Sequence, residues 1–132
     1  MIVCTQFLDL RMLDAITAAA WMTQVHLFKN DHIPTVTDVL ADYVEADYQG
    51  YGSLAIAWAP PFIDGDGKAQ VLGTPCVFLK LAGGVSNTVF GVYVTEIGGT
   101  NVSYALRFTS PRPMIAAGDS TIYNPVFTCV SE

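Results

Sequence analysis

A chain of 132 residues that is 52% hydrophobic and only 14% charged has the size of one domain and more apolar side chains than one core of that size hides. Some of that apolar surface is therefore expected to lie against partner subunits. A net charge of −6, with six Lys and Arg scattered singly, excludes phosphate-directed nucleic-acid binding and a polybasic membrane anchor.

In chain order, Leu8, Met12, Ala15, Ile16 and Ala19 recur at helical spacing, with Leu13 and Trp21 at the edge of the stripe. Asp9 is placed to favour the positive end of a helix, and the spacing predicts an amphipathic helix over about 9–22. Leu10, Leu13 and Ala20 lie opposite the stripe, so burial is expected on both sides. The segment has no basic leader, and Asp9, Arg11 and Asp14 break its apolar run, so it reads as neither a secretory signal nor a membrane span.

Strand signals follow. They are the alternating runs 23–29 and 52–58, the apolar run 75–81, the pair 88–97 and 101–108 around Gly98-Gly99, and a last strand over 120–130 with a bulge or edge at Pro125. Turn clusters fall at 60–67, 82–87 and 110–119. Six strands without interleaved helices predict a mainly β fold: an antiparallel sandwich or barrel, residues 23–132, preceded by a helical segment, residues 1–22.

The chemistry-bearing residues are weaker signals. Asp38, Asp42 and Glu45 share one face of a helix begun at Thr37, opposite Val39, Leu40, Tyr43 and Val44, which is the pattern of a solvated amphipathic turn with its acids outward. Asp64-Gly65-Asp66-Gly67 has turn chemistry and lacks the remainder of a calcium loop. His26 and His32 have no partner at catalytic spacing, Gly83-Gly84 and Gly98-Gly99 are turns, and no nucleophile motif is present. Cys4, Cys76 and Cys129 are few, odd in number and far apart, which predicts reduced, unpaired thiols. The expectation is no catalytic residue, no cofactor and no metal. The Trp58-Ala59-Pro60-Pro61-Phe62 run is the best aromatic platform for a glycan.

"LFKNDHIPT", "ADYVEADYQGYGSLAIAW", "NTVFGVYVTE", "RFTSPRPMIAAGD" and "NPVFT" together span about Val25–Thr128. This set resembles a family of small virion structural proteins encoded by tailed bacteriophages and prophages. The resemblance implies a non-enzymatic capsid decoration (cement) protein, made in the host cytoplasm and resident in the virion. Its partners would be the major capsid protein or other virion subunits and further copies of itself, a trimer being the first geometry to expect. Tail, neck or fibre-base placement and a host-surface or glycan-binding module are the alternatives. The N-terminal 22 residues lie outside the resemblance and are assigned to assembly. The interface residues expected on this reading are Leu8, Met12, Ile16, Trp21, Trp58 and Phe62.

Overall fold

The computed structural model describes residues 6–18 and 21–129, the side chains of residues 6–9 excepted. Expectations that rest on Cys4 and on the side chains of Leu8, Ala19 and Ala20 lie outside the described residues. Helix α1 runs Gln6–Ala18, so it begins earlier and stops sooner than the sequence periodicity suggests. Trp21 and Met22 lie in a bend instead. Met22 is buried in the main core and the Thr23 N–H donates to Thr95 O, which commits the chain to an extended path at this point.

The rest is antiparallel β-structure, as expected. The strands are β1 (Gln24–Phe28), β2 (Leu54–Ala55), β3 (Phe62–Ile63), β4 (Ala69–Leu72), β5 (Cys76–Leu79), β6 (Asn87–Thr95), β7 (Val102–Met114), β8 (Ser120–Tyr123) and β9 (Val126–Thr128). They form three sheets, ordered β2-β1-β6-β7, β3-β4-β9 and β5-β8. Three differences from the expected strands have local causes. The Asp64–Gly67 turn carries a short hairpin, β3–β4, whose strands are too brief for alternation to reveal. Pro125 divides the last strand into β8 and β9. Strand β7 continues through Pro111 and Pro113, because it is an edge strand and proline's missing N–H costs nothing on an open side.

Sheet β2-β1-β6-β7 buries both faces. Val25 and Leu27 stand opposite Val94 and Val92 on one face and join the main core with Phe78, Met114 and Tyr123 from the other elements. On the other face Phe28 and Tyr93 pack with Tyr43, which arrives from the long connection between β1 and β2. That connection also covers the edge of β1: the Lys29 N–H donates to Val44 O, and the Ala46 N–H to Leu27 O. Sheet β3-β4-β9 is closed by α1, whose Leu13 is fully buried against Ala69 and Val71. The helix thus uses its Leu10–Leu13 side within its own chain and leaves Met12 46% exposed.

Gly91 sits opposite Phe28, and a Cβ there would come within 2.2 Å of Leu106 O and 2.6 Å of the Phe28 ring. Close approach of the aromatic ring and the neighbouring strand therefore requires glycine at this position. Gly91→Ala is expected to cost about 1–3 kcal/mol in urea unfolding with an unchanged slope. Gly65→Ala, where an added Cβ meets nothing within 4 Å, should change stability by less than about 0.5 kcal/mol.

Candidate functional site

The densest polar constellation is the acidic connection, residues 29–53, crossing β1 and β6. It is not the amphipathic helix expected from Thr37. Only Leu40–Asp42 forms a 3-10 turn; Asp42, Glu45 and Asp47 are exposed, as expected, but each is also tied to a neighbouring group. Side-chain capture by nearby backbone groups competes with the helix here. Asp38 accepts hydrogen bonds from the Thr35 N–H and hydroxyl, from the Tyr43 hydroxyl, and lies 2.7 Å from His32 Nε2. Asp42 accepts from the Val39 N–H, and Asn30 ties Asp42 O to the Val44 N–H. Asp47 pairs with Lys29 at 2.7 Å and accepts from Asn87 Nδ2, while Asp31 pairs with Arg107 on β7. Arg107 also donates to His32 O and lies over the Phe90 ring. Each of Asp31, Asp38, Asp42, Glu45 and Asp47 holds a stretch of chain.

One part of this network has the outline of a catalytic relay. Glu45 Oε1 lies 2.7 Å from His26 Nδ1, and His26 Nε2 lies 3.1 Å from Thr95 Oγ1. The three residues are remote in sequence, so no spacing rule could have found them. The geometry nevertheless works against nucleophilic chemistry. Thr95 is 2% exposed, and its hydroxyl hydrogen is donated to Glu96 O at 2.8 Å rather than offered to the imidazole. None of the three residues lines a cavity described here. His26 is also stacked on Tyr93, with centroids 4.7 Å apart, and Glu45 accepts from the Tyr51 hydroxyl. The relay fastens the connection to the sheet.

The expected interface residues do not converge. Ile16 and Trp58 pack against the main core, and the Trp58 indole N–H donates to Met22 O, so Trp58 is not half of an open aromatic platform. Met12, Trp21 and Phe62 are exposed, at 46%, 57% and 40%. The apolar surface that sequence reading missed lies elsewhere. Val77 and Ile122 face each other across β5 and β8 and are both 54% exposed. Leu79 on β5 is 47% exposed, and Leu72 and Val126, paired across β4 and β9, are 40% and 46% exposed. Alternation along these strands could have flagged them, because Cys76, Phe78, Thr121 and Tyr123 are their buried counterparts.

Beside β5 a groove of about 350 Å³ runs between Val77–Leu79 and the segment Gly50–Leu54. Lys80 is 2% exposed at the end of the same strand and donates to Leu81 O and Gly83 O, pinning the glycine turn that follows. Among the described residues no group of three or more His, Cys, Asp or Glu is placed to hold a metal ion, and no helix is long and apolar enough to cross a membrane. No family model, curated protein or solved structure matches this chain.

The hydrogen bonds received by these carboxylates hold Asp38, Glu45 and Asp47 below their ordinary values; for Asp38 the Thr35 hydroxyl is the main cause, for Glu45 His26, and for Asp47 Lys29. Carboxyls depressed in the folded state stabilise it above the unfolded value of ~4, and that contribution is lost as pH falls through the folded values. The thermal midpoint is therefore expected to decline below about pH 4, and Glu45→Gln should flatten that decline while lowering the midpoint at neutral pH. A second expectation concerns Cys76. It is 2% exposed and burial pushes its thiol above the ordinary value. It should resist alkylation in the native protein and react once guanidinium unfolds the chain, as peptide mapping by mass spectrometry would report.

Proposed function

We propose that the protein is a non-enzymatic structural component of a bacteriophage virion, in first place a capsid decoration protein. The observation that carries the assembly part is the uncharged apolar surface on the solvent side of β4-β9 and β5-β8, formed by Leu72, Val126, Val77, Ile122 and Leu79. Such a surface on a chain with twelve acids is suited to burial against neighbouring subunits. The phage part rests on the resemblance of Val25–Thr128 to virion proteins. Binding would be non-covalent, through apolar burial repeated over the shell, each contact modest after association costs. Self-association as a trimer would match a local three-fold axis of such a shell.

Mass spectrometry and cryo-electron microscopy of washed particles from the encoding phage test this reading. The protein is expected in many copies on the capsid exterior; its absence from washed particles would reject the proposal, and density at the neck or tail would move it there. Val77→Asp with Ile122→Asp should leave the circular dichroism unchanged and weaken rebinding to stripped particles by at least about tenfold.

A further inference from the structure

We infer that the groove between β2 and β5 is a docking site for an extended, uncharged peptide segment, which pairs its main chain with the free edge of β5. Three independent features point to that occupant.

The first is the edge. Among the described residues strand β5 pairs only with β8. The Lys80 N–H donates to Asp119 O and the Gly118 N–H to Lys80 O, which turns the main chain of Lys80 towards the β8 side. Alternation along an antiparallel strand then turns Val77 and Leu79 the other way, into the groove. The opposite wall bonds this edge at its ends, where the Leu81 N–H donates to Gln49 O and the Thr74 N–H to Ala57 O. Between those points Gly50 lies close to Leu79 O and the groove opens beside Val77, and among the described residues no main-chain bond reaches Val77 or Leu79 from that side. An unpaired strand edge is a template for another strand.

The second is Tyr48. It forms part of the groove's wall, is 2% exposed, and its hydroxyl is the one buried side-chain nitrogen or oxygen among the described residues without a hydrogen-bond partner. A buried hydroxyl left unpartnered is costly, and a ligand carbonyl or hydroxyl would relieve that cost. Burial pushes this phenol up to about 12, so it remains a donor at neutral pH.

The third is charge. The chain is at −6, yet tyrosines are the only titratable side chains among those lining the groove. A charged or basic segment would find no counter-ion there and would favour the acidic connection instead, whereas a neutral strand loses nothing by entering. Gly52 keeps the wall low, since a Cβ built there meets nothing within 4 Å, whereas one on Gly50 would lie 2.5 Å from Leu81 Cγ, so the groove opens on the Gly52 side. The site stands independently of the virion reading.

The test uses the full ¹⁵N-labelled chain and a blocked probe peptide, acetyl-Thr-Val-Thr-Val-Thr-amide. A control peptide of the same sequence is N-methylated at all five residues, so that neither edge can donate. The probe is expected to shift the amide signals of Val77, Leu79 and Gly52 saturably and to slow hydrogen exchange at Val77 and Leu79, with the N-methylated peptide at least about tenfold weaker. Gly52→Leu should fill the groove and abolish binding in a protein whose spectrum stays dispersed. Tyr48→Phe should weaken binding and leave the fold intact. Equal binding of the two peptides would make this a pocket for apolar side chains rather than main chain and would overturn the inference. So would an absence of shifts at millimolar probe, or Val77 and Leu79 amides already protected by self-association of the free protein. Should Gly52→Leu fail to fold, the comparison of the two peptides decides alone.

Discussion

The architecture turns on a single constraint. Strands β1 and β6 must be covered on both faces, and α1 is occupied elsewhere, on β3 and β4. The second face is therefore closed by a connection with little regular structure of its own. An irregular segment cannot satisfy its backbone groups by a ladder, so side chains must do so. Asp38 and Asp42 accept from the Thr35 and Val39 N–H groups, Asn30 bonds both Asp42 O and the Val44 N–H, and Asn87 of β6 accepts from the Asp47 N–H, while the Glu45 and Asp47 carboxylates tie the segment to His26 and Lys29. With the connection fixed, Tyr43 reaches Phe28 and Tyr93, and the sheet becomes a buried layer.

The same constraint explains what sequence reading could see. The helix, the long hairpin β6–β7 and most strands announce themselves by period, since each is stabilised by neighbours at short, regular spacing. The acidic cluster was visible as a cluster, but its meaning depends on His26, Asn87, Thr95 and Arg107, which the topology brings from up to 75 residues away. Reading it as a solvated helical face was reasonable from Asp38, Asp42 and Glu45 alone. The face is solvated at Asp42 and Glu45, but the helix does not form, because Thr35, three residues before Asp38, offers that carboxylate both a hydroxyl and a backbone N–H, and this local trap outcompetes a helical turn. The Thr95–His26–Glu45 arrangement was invisible for the opposite reason: it has no local component.

Apolar surface was legible in amount but not in place. Composition indicates an excess over what one core buries, and the N-terminal stripe drew the assignment because a helix displays amphipathicity over many residues. Short strands such as β5 and β8 display it over four, and their outward residues differ from inward ones only by parity. Ile16, expected at an interface from the helical stripe, and Trp58, expected there from the aromatic run, are instead partly buried against the main core, Trp58 at its junction with the helix-covered sheet.

Charge and apolar surface end up segregated as a consequence of these choices. Carboxylates concentrate in the irregular connection, where Asp38 and Asp42 accept from its backbone and Asp31, Glu45 and Asp47 bond the side chains of Arg107, His26 and Lys29. In the ribbon on the other side, strand β4 pairs with β9 and β5 with β8, so the side chains of this ribbon are not needed as acceptors between its strands. Its outward positions are therefore free to be apolar, as at Leu72, Val77, Leu79, Ile122 and Val126. A partner meeting the acidic side encounters charges already committed to the fold, whose removal would loosen the cover of β1 and β6. A partner meeting the ribbon disturbs no hydrogen bond and buries apolar surface already exposed. On the proposed reading association runs through the ribbon, while the acidic connection holds the sheet of β1 and β6.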